Sequence, residues 1–303
     1  MGMAEAIKRE LTELVIEGVR DFDAATIFES GQCFRFSREK NGSYTGVVRG
    51  CFANISYNNE EDIITIWSDY MPKSDKLRLR FWRDFLDLDR DYREIKRALS
   101  DRDPVMEKAV LMGGGLHVLN QEPWETLISF IISQNSNIPR IRGCIEALCG
   151  LFGEKIGVFE NRPLYAFPAL HRLAEASEKD LDQCKLGYRA KYVVETARQV
   201  NVDGGAFLDT AASAATEKLY EYLLSLSGVG PKVAHCVMLF SHKKTDVFPI
   251  DLWVARAMSK LYGIEENDHE AMRRFATEHF SPWAGIAQMF LFEFIRRTDK
   301  TFV

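Results

Sequence analysis

Apolar and polar positions alternate along the first seventy residues. Leu11–Glu17 has a period of two, Gly46–Arg49 and Cys51–Tyr57 are short β-branched or aromatic runs, and Asp62–Trp67 (DIITIW) is the clearest strand. Runs of this kind, separated by the turn pairs Asn41-Gly42 and Asn58-Asn59, predict a small antiparallel sheet. Within it, Asp23 is placed to cap a short helix through Phe28, which Gly31 would terminate.

The period changes near Lys73. Apolar residues then recur every three or four positions at Leu77, Phe81, Phe85, Ile95 and Leu99, and Val105–Leu111, Trp124–Ser133 and Ile138–Phe152 continue in that manner. Gly113–Gly115 marks a hinge or a helix stop. From there to the end the pattern predicts helices joined by short loops. The expected architecture is therefore α+β: a small twisted antiparallel β domain with flanking helices over residues 1–110, then a mostly α-helical two-part body over residues 111–303. No repeat of solenoid period and no low-complexity tract interrupts it.

Composition narrows the class. With 46% hydrophobic and 27% charged residues, the 303-residue chain is a folded protein rather than a disordered one. Its longest apolar runs, such as Thr126–Ile132, fall far short of the roughly 20 residues of a membrane span. The N-terminal MGMAEAIKRE lacks an apolar signal core, and Glu5–Ala6 stand where a myristoylation pattern wants a small hydroxyl residue. A cytoplasmic protein with no membrane partner is expected. Six scattered cysteines (Cys33, Cys51, Cys144, Cys149, Cys184, Cys236) include no C-x-x-C pair. Buried reduced thiols are expected, rather than a zinc or iron–sulfur site. The net charge of -5 argues against a polycation, though binding to nucleic acid depends on where the basic groups sit.

The chemistry concentrates in Leu223–Met258. A helical run over Ala215–Leu226 ends at Ser227-Gly228-Val229-Gly230-Pro231, and a second helix starts around Lys232 and runs to about Ser241. Gly228 and Gly230 permit positive φ and bare backbone amides, and Pro231 suits a first helical position. Amides and a helix N-terminus together make an anion site suited to phosphate. On these residues alone, a helical corner without a ligand stays open. So do a solvated Lys232 and an Asp251 that only caps the helix from Leu252 to Leu261.

Leu226-Ser-Gly-Val-Gly-Pro-Lys-Val-Ala, the loop Ser241–Pro249 and Phe248-Pro249-Ile250-Asp251 resemble the helix-hairpin-helix and Gly/Pro-Asp loop of the DNA glycosylase superfamily. The 19-residue separation of Lys232 and Asp251 is that of the 8-oxoguanine DNA glycosylase family. The resemblance places a helix-hairpin-helix at 215–241 of a helical glycosylase domain. It implies a bifunctional enzyme: a glycosylase and abasic-site lyase that excises 8-oxoguanine opposite cytosine from duplex DNA. The roles have physical sense. Positive charge develops on the sugar as the bond to the base stretches, and the Asp251 carboxylate stabilises it. A neutral Lys232 amine attacks the same carbon, and the resulting Schiff base permits β-elimination. That attack needs desolvation, which the apolar helix of Val233, Ala234, Val237 and Leu239 offers.

The resemblance extends over most of the chain. Leu127–Arg140 (LISFIISQNSNIPR) is similar to the family's minor-groove segment, where Asn135 fills the gap left by the extruded base. Arg140 and the Gly187-Tyr188-Arg189 turn match residues that read the orphaned cytosine, with Tyr188 as a wedge. Gly31-Gln32-Cys33-Phe34-Arg35-Phe36 resembles the family's Gly-Gln-x-Phe-Arg-Trp segment. There Gly31 offers its carbonyl to the N–H that oxidised guanine has and guanine lacks. In Trp283–Phe292, Gln288 and Phe292 lie four apart on one helix face, one to bond the Watson–Crick edge and the other to stack on the base. Cys236, four residues after Lys232, is expected to line the opposite side of the pocket. The family often has histidine two residues after the aspartate, touching phosphate; here Trp253 stands there, and Ser136 replaces an asparagine. From Leu226 to Lys260, five basic residues (Lys232, Lys243, Lys244, Arg256, Lys260) face two acidic ones. This local excess is consistent with DNA contact.

The expected partner is double-stranded DNA carrying oxidised guanine, bound by a monomer of bacterial or archaeal type. No cofactor or metal is expected for the chemistry, beyond a structural cation at the hairpin carbonyls. The competing readings are a glycosylase for another damaged base and a non-catalytic damage-binding protein.

Overall fold

In a computed structural model, residues 10–299 are described; the N-terminal motif read above lies largely outside them. Five strands form one antiparallel sheet: β1 (Thr12–Ile16), β2 (Phe36–Arg38), β3 (Tyr44–Val48), β4 (Cys51–Asn58) and β5 (Ile63–Ser68), in the spatial order β1-β5-β4-β3-β2. Four were legible as alternating, β-branched or aromatic runs. Three-residue β2 was not, because so short a strand has no period to read. In β5 every second residue is buried, and the register sets Ile64 opposite Ile16 and Ile66 opposite Ile55. Between β1 and β2 lies α1 (Ala24–Glu29), started by Asp23, whose carboxylate accepts from Thr26 N at 2.6 Å. It packs Ile27 and Phe28 against the sheet together with Trp82, Phe85 and Leu86, brought by α2 (Asp75–Phe85) and its C-terminal cap.

The remaining helices are α3 (Tyr92–Ser100), α4 (Pro104–Gly113), α5 (Pro123–Ile132), α6 (Ile138–Phe152), α7 (Leu170–Glu175), α8 (Arg189–Val200), α9 (Ala206–Thr210), α10 (Thr216–Leu224), α11 (Pro231–His242), α12 (Leu252–Tyr262), α13 (His269–Phe280) and α14 (Ala284–Thr298). The Gly113–Gly115 segment is a helix stop, with Gly114 capping α4. Residues of α3 and α4 belong to the helical core, while Leu119 returns to the core of the sheet. The expected boundary at 110/111 therefore falls in chain shared by both units.

The second half is mostly helical, as expected, and carries in addition a β-hairpin that the periodicity does not announce. β6 (Lys155–Phe159) and β7 (Arg162–Tyr165) form a hairpin. Its Phe159 ring lies 5.4 Å from that of Phe52 in β4, and Arg162 pairs with Glu39. Covered by this hairpin on one side and by helices on the other, the middle of the sheet is buried on both faces. Every residue of β3 is buried, which explains why β3 does not alternate.

Candidate active site

The hairpin forms where expected. α10 and α11 are joined by a turn in which Leu226 N bonds Leu223 O and Val229 N bonds Leu226 O, both at 3.1–3.2 Å. Pro231 opens α11. The two glycines differ in kind. Gly228 has φ +71°, and a β-carbon there would lie 2.4 Å from the Tyr192 ring; Gly230 is extended (φ -98°). Only the first therefore needs a glycine for conformation. With Gly230 in the cap position, no side chain caps α11, and its first amides stay available for an anion. α8 holds the turn from behind: Thr196 Oγ1 donates to Ser227 O at 2.6 Å, and Ser227 Oγ to Glu195 at 2.6 Å.

Lys232 and Asp251 share one cleft. It measures about 850 Å³ and is lined also by Gly31, Phe130, Asn135, Arg140, Trp253 and Phe292. Lys232 is half-buried. Its Nζ lies 3.4 Å from Ser133 Oγ and 4.8 Å from the centre of the Phe130 ring, an apolar and weakly polar setting for an amine. Asp251 caps α12: its Oδ1 accepts from Val254 N at 2.9 Å, which fixes the carboxylate at the edge of the cleft.

Inward of this pair is a recess of about 50 Å³, walled by Gly31, Cys236, Gln288, Met289 and Phe292 beside Lys232 and Asp251. Gln288 is 5% exposed, and its Oε1 has no hydrogen-bond partner. A buried amide oxygen left unsatisfied is costly in a resting protein, and this one belongs to a residue that lines the recess beside Lys232 and Asp251. Phe292 forms one wall, with the Arg296 guanidinium 5.6 Å from its ring centre. Cys236 is buried, and burial pushes its thiol up to about 11; the Lys232 charge opposes that rise and the Asp251 carboxylate adds to it. Cys236 is thus a neutral wall of the recess, in electrostatic contact with both members of the pair. Gly31 has φ +79°, and a β-carbon there would come within 3.3 Å of Ile138 Cδ1.

At the outer rim, Asn135 sits in the α5–α6 loop with φ +46° and donates to the Tyr188 hydroxyl at 3.3 Å. Tyr188 is 51% exposed, supported beneath by Tyr192 edge-on at 5.9 Å and by the Arg189 guanidinium at 4.6 Å. Arg140 is exposed. Arg189 is placed otherwise than the sequence suggested. It is 5% exposed and donates to the carbonyls of Gln134, Asn135 and Leu186, so it braces the rim loop from inside. Gln134 completes the brace by donating to Gly228 O of the hairpin at 3.0 Å.

The local basic excess also reads differently in three dimensions. Lys243 pairs with Asp84 at 2.8 Å, Lys244 donates to Ala214 O, and Lys260 pairs with Asp299 at 2.7 Å. Sequence proximity had counted these with Lys232, but their charges are spent on the protein's own groups. The cations at the cleft are Lys232, Arg140 and Arg296. Sequence reasoning gave no role to Phe130, Ser133, Gln134 or Arg296, since nothing local in their segments separates them from packing residues.

Among the described residues, no group of three or more His, Cys, Asp or Glu side chains is arranged to hold a metal, and no helix is long and apolar enough to cross a membrane. Cys33, Cys144, Cys149, Cys184 and Cys236 are buried free thiols.

Comparison with known proteins gives a consistent assignment. Residues 14–127 match the family described as 8-oxoguanine DNA glycosylase, N-terminal domain, and residues 128–282 match the HhH-GPD superfamily base excision DNA repair protein. The N-glycosylase/DNA lyase of Saccharomyces cerevisiae is 39% identical over 169 residues, 52% of this chain and 45% of that protein, so the match spans under half of the yeast relative. The probable N-glycosylase/DNA lyase of Methanothermobacter thermautotrophicus is 28% identical over 92% of this chain and 95% of its own length. Among solved structures, the Clostridium acetobutylicum 8-oxoguanine glycosylase/lyase, in complex with duplex DNA containing cytosine opposite 8-oxoguanine, is 36% identical. It superposes with a TM-score of 0.87 over 97% of both chains. With the hairpin, the lysine–aspartate pair and the N-terminal sheet all in place, the chain belongs to the 8-oxoguanine DNA glycosylase/lyase family of the helix-hairpin-helix base-excision repair superfamily.

Proposed function

We propose that this protein excises 8-oxoguanine paired with cytosine from duplex DNA and then cuts the strand at the abasic site it has made. The observation that carries the reading is the single cleft in which Lys232 and Asp251 meet the recess of Gly31, Gln288, Cys236 and Phe292. The everted base enters the recess, which must widen to admit it. Gln288 bonds its Watson–Crick edge, Phe292 stacks on its face, and the Gly31 carbonyl accepts the N7–H peculiar to the oxidised base.

In the excision step, Lys232 first gives its proton to solvent, and the amine so formed bonds to C1′ as the bond from C1′ to N9 breaks. The electron pair leaves with the base, which takes up the proton that the nitrogen now bonded to C1′ sheds. Asp251 stabilises the positive charge that grows on the sugar. Ring opening gives a Schiff base between Lys232 and C1′. Loss of a C2′ proton then expels the 3′ phosphate oxygen, which cuts the strand. Asn135 fills the vacated stack, Tyr188 wedges beside it, and Arg140 reads the orphaned cytosine with Arg189 securing the loop. The uncapped amides of α11 and the Gly228–Gly230 turn hold a backbone phosphate, with Trp253 beside them. A cation at the hairpin carbonyls would add to that contact. The protein acts as a monomer in the compartment that holds the DNA.

Borohydride trapping tests the proposal. A folded protein and an 8-oxoguanine:cytosine duplex give a covalent adduct that Lys232→Gln abolishes, and cytosine gives more adduct than the other three opposite bases. No adduct from the folded wild-type chain would leave only a damage-binding protein. Equal trapping opposite all four bases would remove the cytosine preference.

A further inference from the structure

Next to Gly31 stands a residue whose side chain is wholly taken up in buried hydrogen bonds. Gln32 is 1% exposed. Its Nε2 donates to His117 O at 2.9 Å and Ile27 O at 3.1 Å, and lies 3.1 Å from Ser30 Oγ. Its Oε1 accepts from Leu119 N at 2.7 Å, and its own main-chain carbonyl accepts from Gln121 Nε2 at 2.6 Å. His117 and Leu119 belong to the connection between α4 and α5, which is neither helix nor strand. The carboxamide of Gln32 therefore donates to and accepts from the same stretch of chain, as the N–H and C=O of one residue in a paired strand do. It sews the end of α1 to the chain entering α5. On the other side of the loop, the last carbonyls of α1 are held as well: Phe28 O by Arg142 at 3.2 Å and Glu29 O by Arg296 at 2.9 Å.

Gly31 has no side chain with which to hold itself, and φ +79° is one of several conformations a glycine adopts freely. The direction of its carbonyl is thus set by its neighbours. We propose that Gln32 is a positioning residue for selectivity: it aims the Gly31 carbonyl into the base recess, so that oxidised guanine is told from guanine. The inference rests on the reading of Gly31 given above. A hydrogen bond weakens steeply with misdirection. Loss of the anchor should therefore reduce discrimination without touching Lys232, Asp251 or the DNA rim.

The test measures binding in a Lys232→Gln background, where no excision occurs. Duplexes carry 8-oxoguanine, its 7-deaza analogue (C–H in place of N7–H), guanine or an abasic site, each opposite cytosine. The parent should bind 8-oxoguanine more tightly than the analogue. Gln32→Met should shrink that ratio by about tenfold, the scale of one hydrogen bond, with abasic-site affinity unchanged. Gln121→Ala, at a half-buried position, removes only the brace on the Gln32 carbonyl and should shift the ratio the same way by less. It carries the test if Gln32→Met does not fold. A parent that binds both bases equally would overturn the reading of Gly31. A parent that discriminates, with folded variants that discriminate equally well, would overturn the role of Gln32 alone. Equal losses on damaged and abasic duplexes would make Gln32 a merely structural residue.

Discussion

Replacing Gln288 with methionine should make the protein more stable and less active at once. The side chain is 5% exposed, and its Oε1 lacks a partner. An unsatisfied buried amide oxygen costs about 1–3 kcal/mol. Methionine is close in volume, flexible, and asks for no hydrogen bond, so it removes that cost with little new strain. Allowing for imperfect repacking, a gain of about 1 kcal/mol remains, worth about 2–4 °C in Tm for domains of this size. The same change deletes the bond to the Watson–Crick edge. Losing about 1.4–2.8 kcal/mol of base recognition slows excision by about 10- to 100-fold. Strand cutting at a preformed abasic site has no base to recognise and should stay within about twofold of wild type. The assay pairs single-turnover excision from an 8-oxoguanine:cytosine duplex with abasic-site cutting and thermal unfolding. A fall in Tm accompanied by equal losses in both activities would mean that Gln288 is a packing residue, and the recess would lose its recognition element.

Asp251→Asn keeps an N-cap oxygen for Val254 N, so stability should change by less than about 0.5 kcal/mol, while excision falls by about 100-fold or more with the charge gone; a fully active variant would remove the carboxylate from the mechanism. Glu125, paired with Arg35 at 3.6 Å, has its carboxyl pushed up to about 7 by burial against an ordinary value of 4.5. A raised carboxyl binds more protons in the folded state, so stability is lost as pH rises from about 4.5 through 7. Glu125→Gln should therefore be stabilising at pH 8, by up to about 3 kcal/mol, with the gap to wild type closing towards pH 5; denaturant melts at the two pH values decide it, and a gap that widens on acidification contradicts the sign.

Much of the candidate site was legible because its parts obey local rules. The glycine turn, Pro231 at a first helical position and Asp251 as a cap are short-range patterns, and each stands where its spacing put it. Gln288 was legible for a different reason: a polar residue inside an apolar helix requires an explanation. The hairpin β6–β7 was missed because its residues carry weak strand signals, and it gains its place by covering Phe52 from the far side of the sheet. The charges of Lys243, Lys244 and Lys260 misled because a count along the chain says nothing about which carboxylate or carbonyl each will meet. Arg189 misled likewise, its guanidinium being claimed by loop carbonyls 54–55 residues away.

By itself the sequence determined the α+β order of elements and the hairpin, since periodicity, capping and turn chemistry act over a few residues; the pairing of Lys232 with Asp251 came from the family resemblance, not from those local rules. The tertiary structure alone decided that a loop after α1, an amine on α11, a cap of α12 and an amide on α14 converge on one recess. It also decided that Gln32 anchors that loop across 85 residues of chain. The physical reason is that convergence depends on long-range packing of two cores, and a buried polar group finds its partner only when the chain closes on itself.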